Sequence, residues 1–133
     1  MRIQSRDIRR VPIALALGAV GAGVSSQSLE AQERKGDQAS QVEYDGWRQY
    51  MVNCARCHGD DAVGGVMAPD LRGSVAKGAV DRSSFHSVVS GGRPAKGMPA
   101  FEKQLSGEQI AAIFAYVSAR AEGRLAAGRP KVR

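Results

Sequence analysis

Cys54-Ala55-Arg56-Cys57-His58 is the stretch that decides how the rest of the sequence is read. Its two cysteines are the only 2 in a chain of 133 residues. A disulfide between them would close a very short loop and add little stability, because loop-closure entropy grows with loop length and is small here. They are therefore site chemistry. A redox dithiol belongs beside a strand–helix–strand unit, and no such pattern flanks this pair. Structural zinc needs four ligands, and the other histidine, His86, stands at no finger spacing from His58. Covalent haem attachment remains. Two thiols at this spacing near a helix end reach the two vinyl groups on one porphyrin edge, and the adjacent histidine projects over the ring to ligate iron. The motif predicts one haem c, joined through Cys54 and Cys57, with His58 on the metal.

Outward from the motif, the pattern is helical. Trp47, Tyr50, Met51 and Cys54 recur at three and four, which predicts a helix with Asp45 as its N-cap. Gly59 to Gly78 is rich in Gly and Asp, contains Pro69, and reads as a long loop. Asp81 caps a second helix carrying Phe85, Val88 and Val89, stopped by Gly91-Gly92. Gly91 to Leu105 holds Pro94, Gly97 and Pro99 and is irregular. Ser106 and Gln109 form a capping box for a last helix, on which Ile110, Ile113, Phe114 and Val117 make one apolar stripe. No alternating strand pattern and no internal repeat occur. The fold class is all-α, with about three main helices and two long loops. Loops of that length in a small domain need something to pack on, and a large cofactor supplies it.

The ends read differently. Arg2, Arg6, Arg9 and Arg10 precede the apolar run Val11 to Val24, and a short polar stretch follows to Ala31. That order is a signal peptide over 1–31, cleaved after Ala31 or, as the alternative, after Ser26. An uncleaved membrane anchor is the competing reading, although the apolar run is shorter than the ~20 residues a bilayer needs. Residues 32–43 are polar and form a flexible leader, 44–122 form the domain, and 123–133 are a basic tail. Removal of four Arg, Asp7 and Glu30 with the signal lowers the net charge from +6 to +4. That charge suits an acidic protein partner and is too weak to argue for nucleic acid.

Iron's sixth ligand separates electron transfer from chemistry on a bound molecule. The candidates are Met51, Met67, Met98 and His86. Met51 lies on the apolar face of the first helix, where methionine is core. Met67 follows closely behind the haem motif, and His86 falls within a predicted helix. Met98, in Gly97-Met98-Pro99, stands far enough along the chain to reach the opposite face of the ring. Its soft thioether suits iron, and His/Met ligation raises the reduction potential. The metal ligands read from the sequence are thus His58 and Met98.

From Tyr44 to Val117 the sequence resembles the class I monohaem cytochromes c. Gly46 and Tyr50 stand where that family has a glycine and an aromatic ahead of the first cysteine, and Ala115-Tyr116 matches the Ala-Tyr pair of its terminal helix. Pro69-Asp70-Leu71 matches its Pro-x-Leu element. The resemblance implies a cytochrome c-like fold wrapped around one covalent haem. It implies that the Pro69 carbonyl accepts the His58 Nδ1 proton, that Leu71 packs on the ring, and that Arg72 and Arg93 can pair with propionates. The loop after the motif and the stretch from Ala121 to Pro130 also resemble small cytochromes that accept electrons from quinoprotein alcohol dehydrogenases.

The function expected is that of a periplasmic electron carrier and not an enzyme. It would be a monomer, with a dehydrogenase as donor and a terminal oxidase as acceptor, and would meet the membrane only through an uncleaved N-terminus. The rival readings are a haem enzyme or gas sensor in which Met98 is displaced, and a haem subunit of a larger membrane oxidoreductase complex.

Overall fold

The computed structural model describes residues 38–133. The signal peptide expected at 1–31 and residues 32–37 of the leader lie outside the described residues. Strand β1 is Gln38–Ala39, followed by helices α1 (Gln41–Asn53), α2 (Ala55–His58), α3 (Leu71–Ala76), α4 (Arg82–Gly91) and α5 (Gly107–Ala121). A 3-10 turn covers Pro94–Lys96, and strand β2 is Lys131–Val132. Three of the five helices are long, and they surround one core.

That core is the crossing of α1 and α5. Gly46 makes the crossing close: a Cβ there would stand 2.0 Å from the Ala112 carbonyl oxygen. One turn further along, the rings of Tyr50 and Tyr116 meet with centroids 5.3 Å apart. Both are fully buried, together with Ile110, Ile113 and Val117. An aromatic pair of this kind contributes about 1 kcal/mol beyond its area of burial. Each phenol also finds a backbone carbonyl, Tyr50 donating to Gly59 at 2.6 Å and Tyr116 to Asp60 at 3.4 Å. The helix crossing therefore holds the loop that leaves the haem motif. Phe114, expected in the stripe, is half-buried and packs on Phe85 of α4 at 5.3 Å.

Several boundaries differ from those expected. Helix α1 starts four residues before Asp45, with Ser40 as its N-cap and Glu43 completing the capping box. Asp45 instead accepts a bond from Gln41 on the helix surface. Residues 38–43, expected as flexible leader, are thus the paired strand and the first turn. The loop expected from Gly59 to Gly78 contains α3, capped by Asp70 accepting from the Gly73 amide at 2.9 Å. The Asp81 cap of α4 and the capping box of α5, at Ser106 and Gln109, stand where expected, and Ser84 completes a box with Asp81 that was not expected.

Residues 123–133, expected as a basic tail, pack against the domain. Leu125 and Pro130 are buried. Arg124 pairs with Glu43 at 2.7 Å. Arg129 lies over the rings of Tyr44 and Trp47, 5.7 and 5.6 Å from their centroids. Lys131 and Val132 pair in parallel with Gln38 and Ala39. Two residues per strand carry no alternation, so nothing in the periodicity announces this pair.

Candidate functional site

The motif sits at a break between two helices. Helix α1 ends at Asn53; Cys54 leaves helical geometry and α2 restarts at Ala55. Both sulfurs are half-buried, and no disulfide joins them. Burial, and secondarily Cys57, pushes the Cys54 thiol up to about 12. A dithiol built for disulfide exchange needs the reverse, a lowered pKa that exposes thiolate.

Past His58 the chain turns sharply. Gly59 (φ 78) and Gly64 (φ 82) occupy left-handed backbone, and a Cβ on Gly64 would stand 2.5 Å from the Asp70 amide nitrogen. The Gly64 amide donates to the His58 carbonyl at 2.8 Å. Between these glycines Ala62 is fully buried with φ 60, a conformation that costs an L-residue about 1 kcal/mol. Its carbonyl accepts from the amides of Leu71 and Arg72 at 3.0 and 3.3 Å, which fixes the start of α3.

This loop brings Pro69 to His58. The imidazole Nδ1 lies 3.0 Å from the Pro69 carbonyl oxygen. A carbonyl only accepts, so Nδ1 carries the proton and Nε2 is left as the free donor atom for a metal. Leu71 and Cys54 are half-buried against the common core. Met98 is half-buried against that core too, and a two-way backbone bridge with Arg93 pins it: the Arg93 amide donates at 2.8 Å and the Met98 amide returns a bond at 3.2 Å. Of the other sixth-ligand candidates, Met51 packs on the core, His86 is exposed on α4, and Met67 is 78% exposed.

The donor set fits a haem. Among the described residues no group of three or more His, Cys, Asp or Glu is placed to hold a metal ion. A protein-only zinc site is thereby disfavoured, whereas a porphyrin brings four nitrogens and asks the chain for one or two ligands. The half-buried Arg72 keeps its Nε without a partner, as a guanidinium waiting for an anionic group would. Arg93 is exposed.

Sequence reading missed the residues that brace this loop. Arg120 is only 5% exposed; its Nη2 stands 3.0 Å from Asp61, and its Nη1 donates to the Leu125 carbonyl at 2.6 Å. Asp61 also accepts the Gly128 amide at 2.9 Å. The signal was available, since Arg120 continues the apolar spacing of Ile113 and Val117 on α5.

Residues 42–117 match the family described as cytochrome c oxidase, cbb3-type, subunit III. The chain is similar to the alcohol dehydrogenase (quinone), dehydrogenase subunit, of Gluconobacter oxydans (strain 621H), 40% identical over 78 residues, covering 58% of this chain and 10% of that one. It is similar to cytochrome c-553I of Paracoccus denitrificans, 36% identical over 97 residues, covering 68% of this chain and 42% of the relative. It thus spans about a tenth of the first relative and less than half of the second. Among solved structures it resembles the c-type cytochrome XoxG from Methylobacterium extorquens AM1, with a TM-score of 0.62 and 29% identity over 69% of this chain and 58% of that one.

Proposed function

The chain belongs to the family described as cytochrome c oxidase, cbb3-type, subunit III, and from that premise we propose that it shuttles electrons in the periplasm from a dehydrogenase to a terminal oxidase. It is a c-type cytochrome and an electron carrier rather than an enzyme, with haem c held covalently by Cys54 and Cys57. The bound iron supplies a one-electron couple between Fe(II) and Fe(III).

The chain's own residues do the rest. The observation that carries the reading is the 3.0 Å bond between His58 Nδ1 and the Pro69 carbonyl, which leaves Nε2 directed to ligation. That bond fixes the tautomer and raises the basicity of the ligand. Met98 is the second ligand, presented by a bridged turn in place of a flexible loop. Two permanent ligands require little rearrangement on gaining or losing an electron. Leu71 would cover the ring, and Arg72, whose Nε has no partner, would meet a propionate. Similarity to a quinone alcohol dehydrogenase subunit supports an enzyme of that class as donor, and the oxidase family supports the acceptor. The export signal read at 1–31 supports a periplasmic location for the domain. No helix among the described residues is long and apolar enough to cross a membrane.

The test adds carbon monoxide to the reduced protein and cyanide to the oxidised one. Slow, weak binding is expected; prompt, tight binding would sink the carrier reading in favour of a gas-binding or catalytic haem. For the partner, purified quinone alcohol dehydrogenase with its alcohol should reduce the protein rapidly at low ionic strength. Stable co-purification with an oxidase would favour the alternative of a haem subunit in a larger complex, which the family description itself supports.

A further inference from the structure

We propose that Asp61 and Arg120 are a positioning pair for His58, holding the turn at Ala62 so that the Pro69 carbonyl stays aligned on the imidazole Nδ1. The proposal rests on His58 being the iron ligand, as argued above.

The contacts form one continuous path. Arg120 rises from α5, the helix that crosses α1, and is buried there. It reaches Asp61 at 3.0 Å, and the Gly128 amide bonds the same carboxylate oxygen at 2.9 Å. Asp61 directly precedes Ala62, whose φ of 60 is the only positive value at a non-glycine residue among the described residues. On the other side of the turn, the Ala62 amide donates to the Gly59 carbonyl at 3.2 Å, and that carbonyl also accepts Tyr50. Held so, the Ala62 carbonyl captures the first two amides of α3, Leu71 and Arg72. Pro69 lies two residues before Leu71, so the aim of its carbonyl follows from the turn.

An alanine keeps a left-handed conformation only where its surroundings enforce it. Here the enforcement comes from a charge that is nine-tenths or more buried and that spends its second amino group on Leu125. A surface ion pair at this distance would do little. Freed of Asp61, the turn would relax toward ordinary backbone and carry the Leu71 and Pro69 bonds with it. A looser Nδ1 bond makes the imidazole a weaker electron donor, which disfavours the ferric state.

The experiment compares wild type, Asp61→Ala, Asp61→Asn and the double variant Asp61→Ala/Ala62→Gly, all as holoproteins. Exchange of the His58 Nδ1 proton is followed by NMR in the reduced state, alongside the reduction potential and thermal melting. Asp61→Ala should speed that exchange about tenfold and raise the potential. Asp61→Asn, which keeps an acceptor oxygen, should lie between it and wild type. Glycine at 62 adopts positive φ freely and should bring the exchange back toward the wild-type rate. A lowered melting temperature with exchange and potential unchanged in Asp61→Ala would overturn the proposal and leave the pair a plain structural tie. Failure of the carrier reading would look different, because wild type itself would then bind carbon monoxide or cyanide promptly and tightly.

Discussion

The two loops that flank the haem site are held in opposite ways. The first, from Gly59 to Asp70, is braced from several sides by Tyr50, Tyr116, Arg120, the Gly128 amide and the capture of α3 by Ala62. The second, from Gly91 to Leu105, carries Met98 and relies on backbone bonds. These include the Arg93–Met98 bridge and the amides of Phe101 and Glu102 donating to Val89 and Ser90 at 3.0 and 3.3 Å, and Leu105 and Phe101 add apolar packing on the core. Stability is spent unevenly across a fold, and segments with few braces open first. In this molecule the histidine side is fixed by side-chain bonds from distant elements, and the methionine side by backbone bonds and apolar packing.

The comparison can be broken most severely at the motif. Cys54→Ser should lose haem and the fold with it, measured as absence of the pyridine haemochrome and of a cooperative melt. A compact apoprotein would show that the braces on the first loop suffice without the cofactor. Gly46→Ala should come next. Its methyl would meet the Ala112 carbonyl at 2.0 Å, so the helix crossing must open, at a cost of about 3 kcal/mol in urea unfolding. Because the tyrosine bonds run from that crossing, the histidine side should suffer before the methionine side.

Met98→Ala should act the other way. It should abolish the far-red ferric charge-transfer band and lower the reduction potential, while costing about 1–2 kcal/mol of stability because the side chain is only half-buried. Survival of the band would transfer the ligand role to another residue. The smallest effect is expected at the link between α1 and the C-terminal segment. Burial opposes ionisation of Glu43, but bonds from the Ser40 amide and Arg124 outweigh it and hold the carboxyl below its usual 4.5. A lowered folded pKa stabilises the protein above 4.5 and loses that contribution as the pH falls through the folded value. Glu43→Gln should therefore cost about 1 kcal/mol at pH 7, discounted for the exposed Arg124, and flatten the stability profile below 4.5.

What could be read in advance was whatever local chemistry announces. The cap at Asp81, the capping box at Ser106 and the stripe on α5 are visible as residue types at fixed offsets, and so is the motif itself. Gly46, Tyr50 and Tyr116 were legible through resemblance, and the coordinates supply the reason in a contact that excludes a Cβ. Helix α3 was hidden because six residues do not establish a period amid glycines, although Asp70 was a visible cap. The Ser40–Glu43 box has the same residue types at the same offset, and Asp45 competes with it as a local cap signal. Asp61, Ala62 and the segment after Gly123 were not legible, since their roles exist only once distant parts of the chain meet. A charge on an apolar stripe, Arg120, was the one hint.

The parallel pair at the chain ends has a consequence of its own. Gln38 stands beside Lys131, so the polypeptide enters and leaves the domain at one spot. A linker of only a few residues could join these ends, and new ones could be opened at an exposed loop, giving a circularly permuted domain. The same geometry lets a longer chain host such a unit as an insert, with only a short distance to span between the two seams.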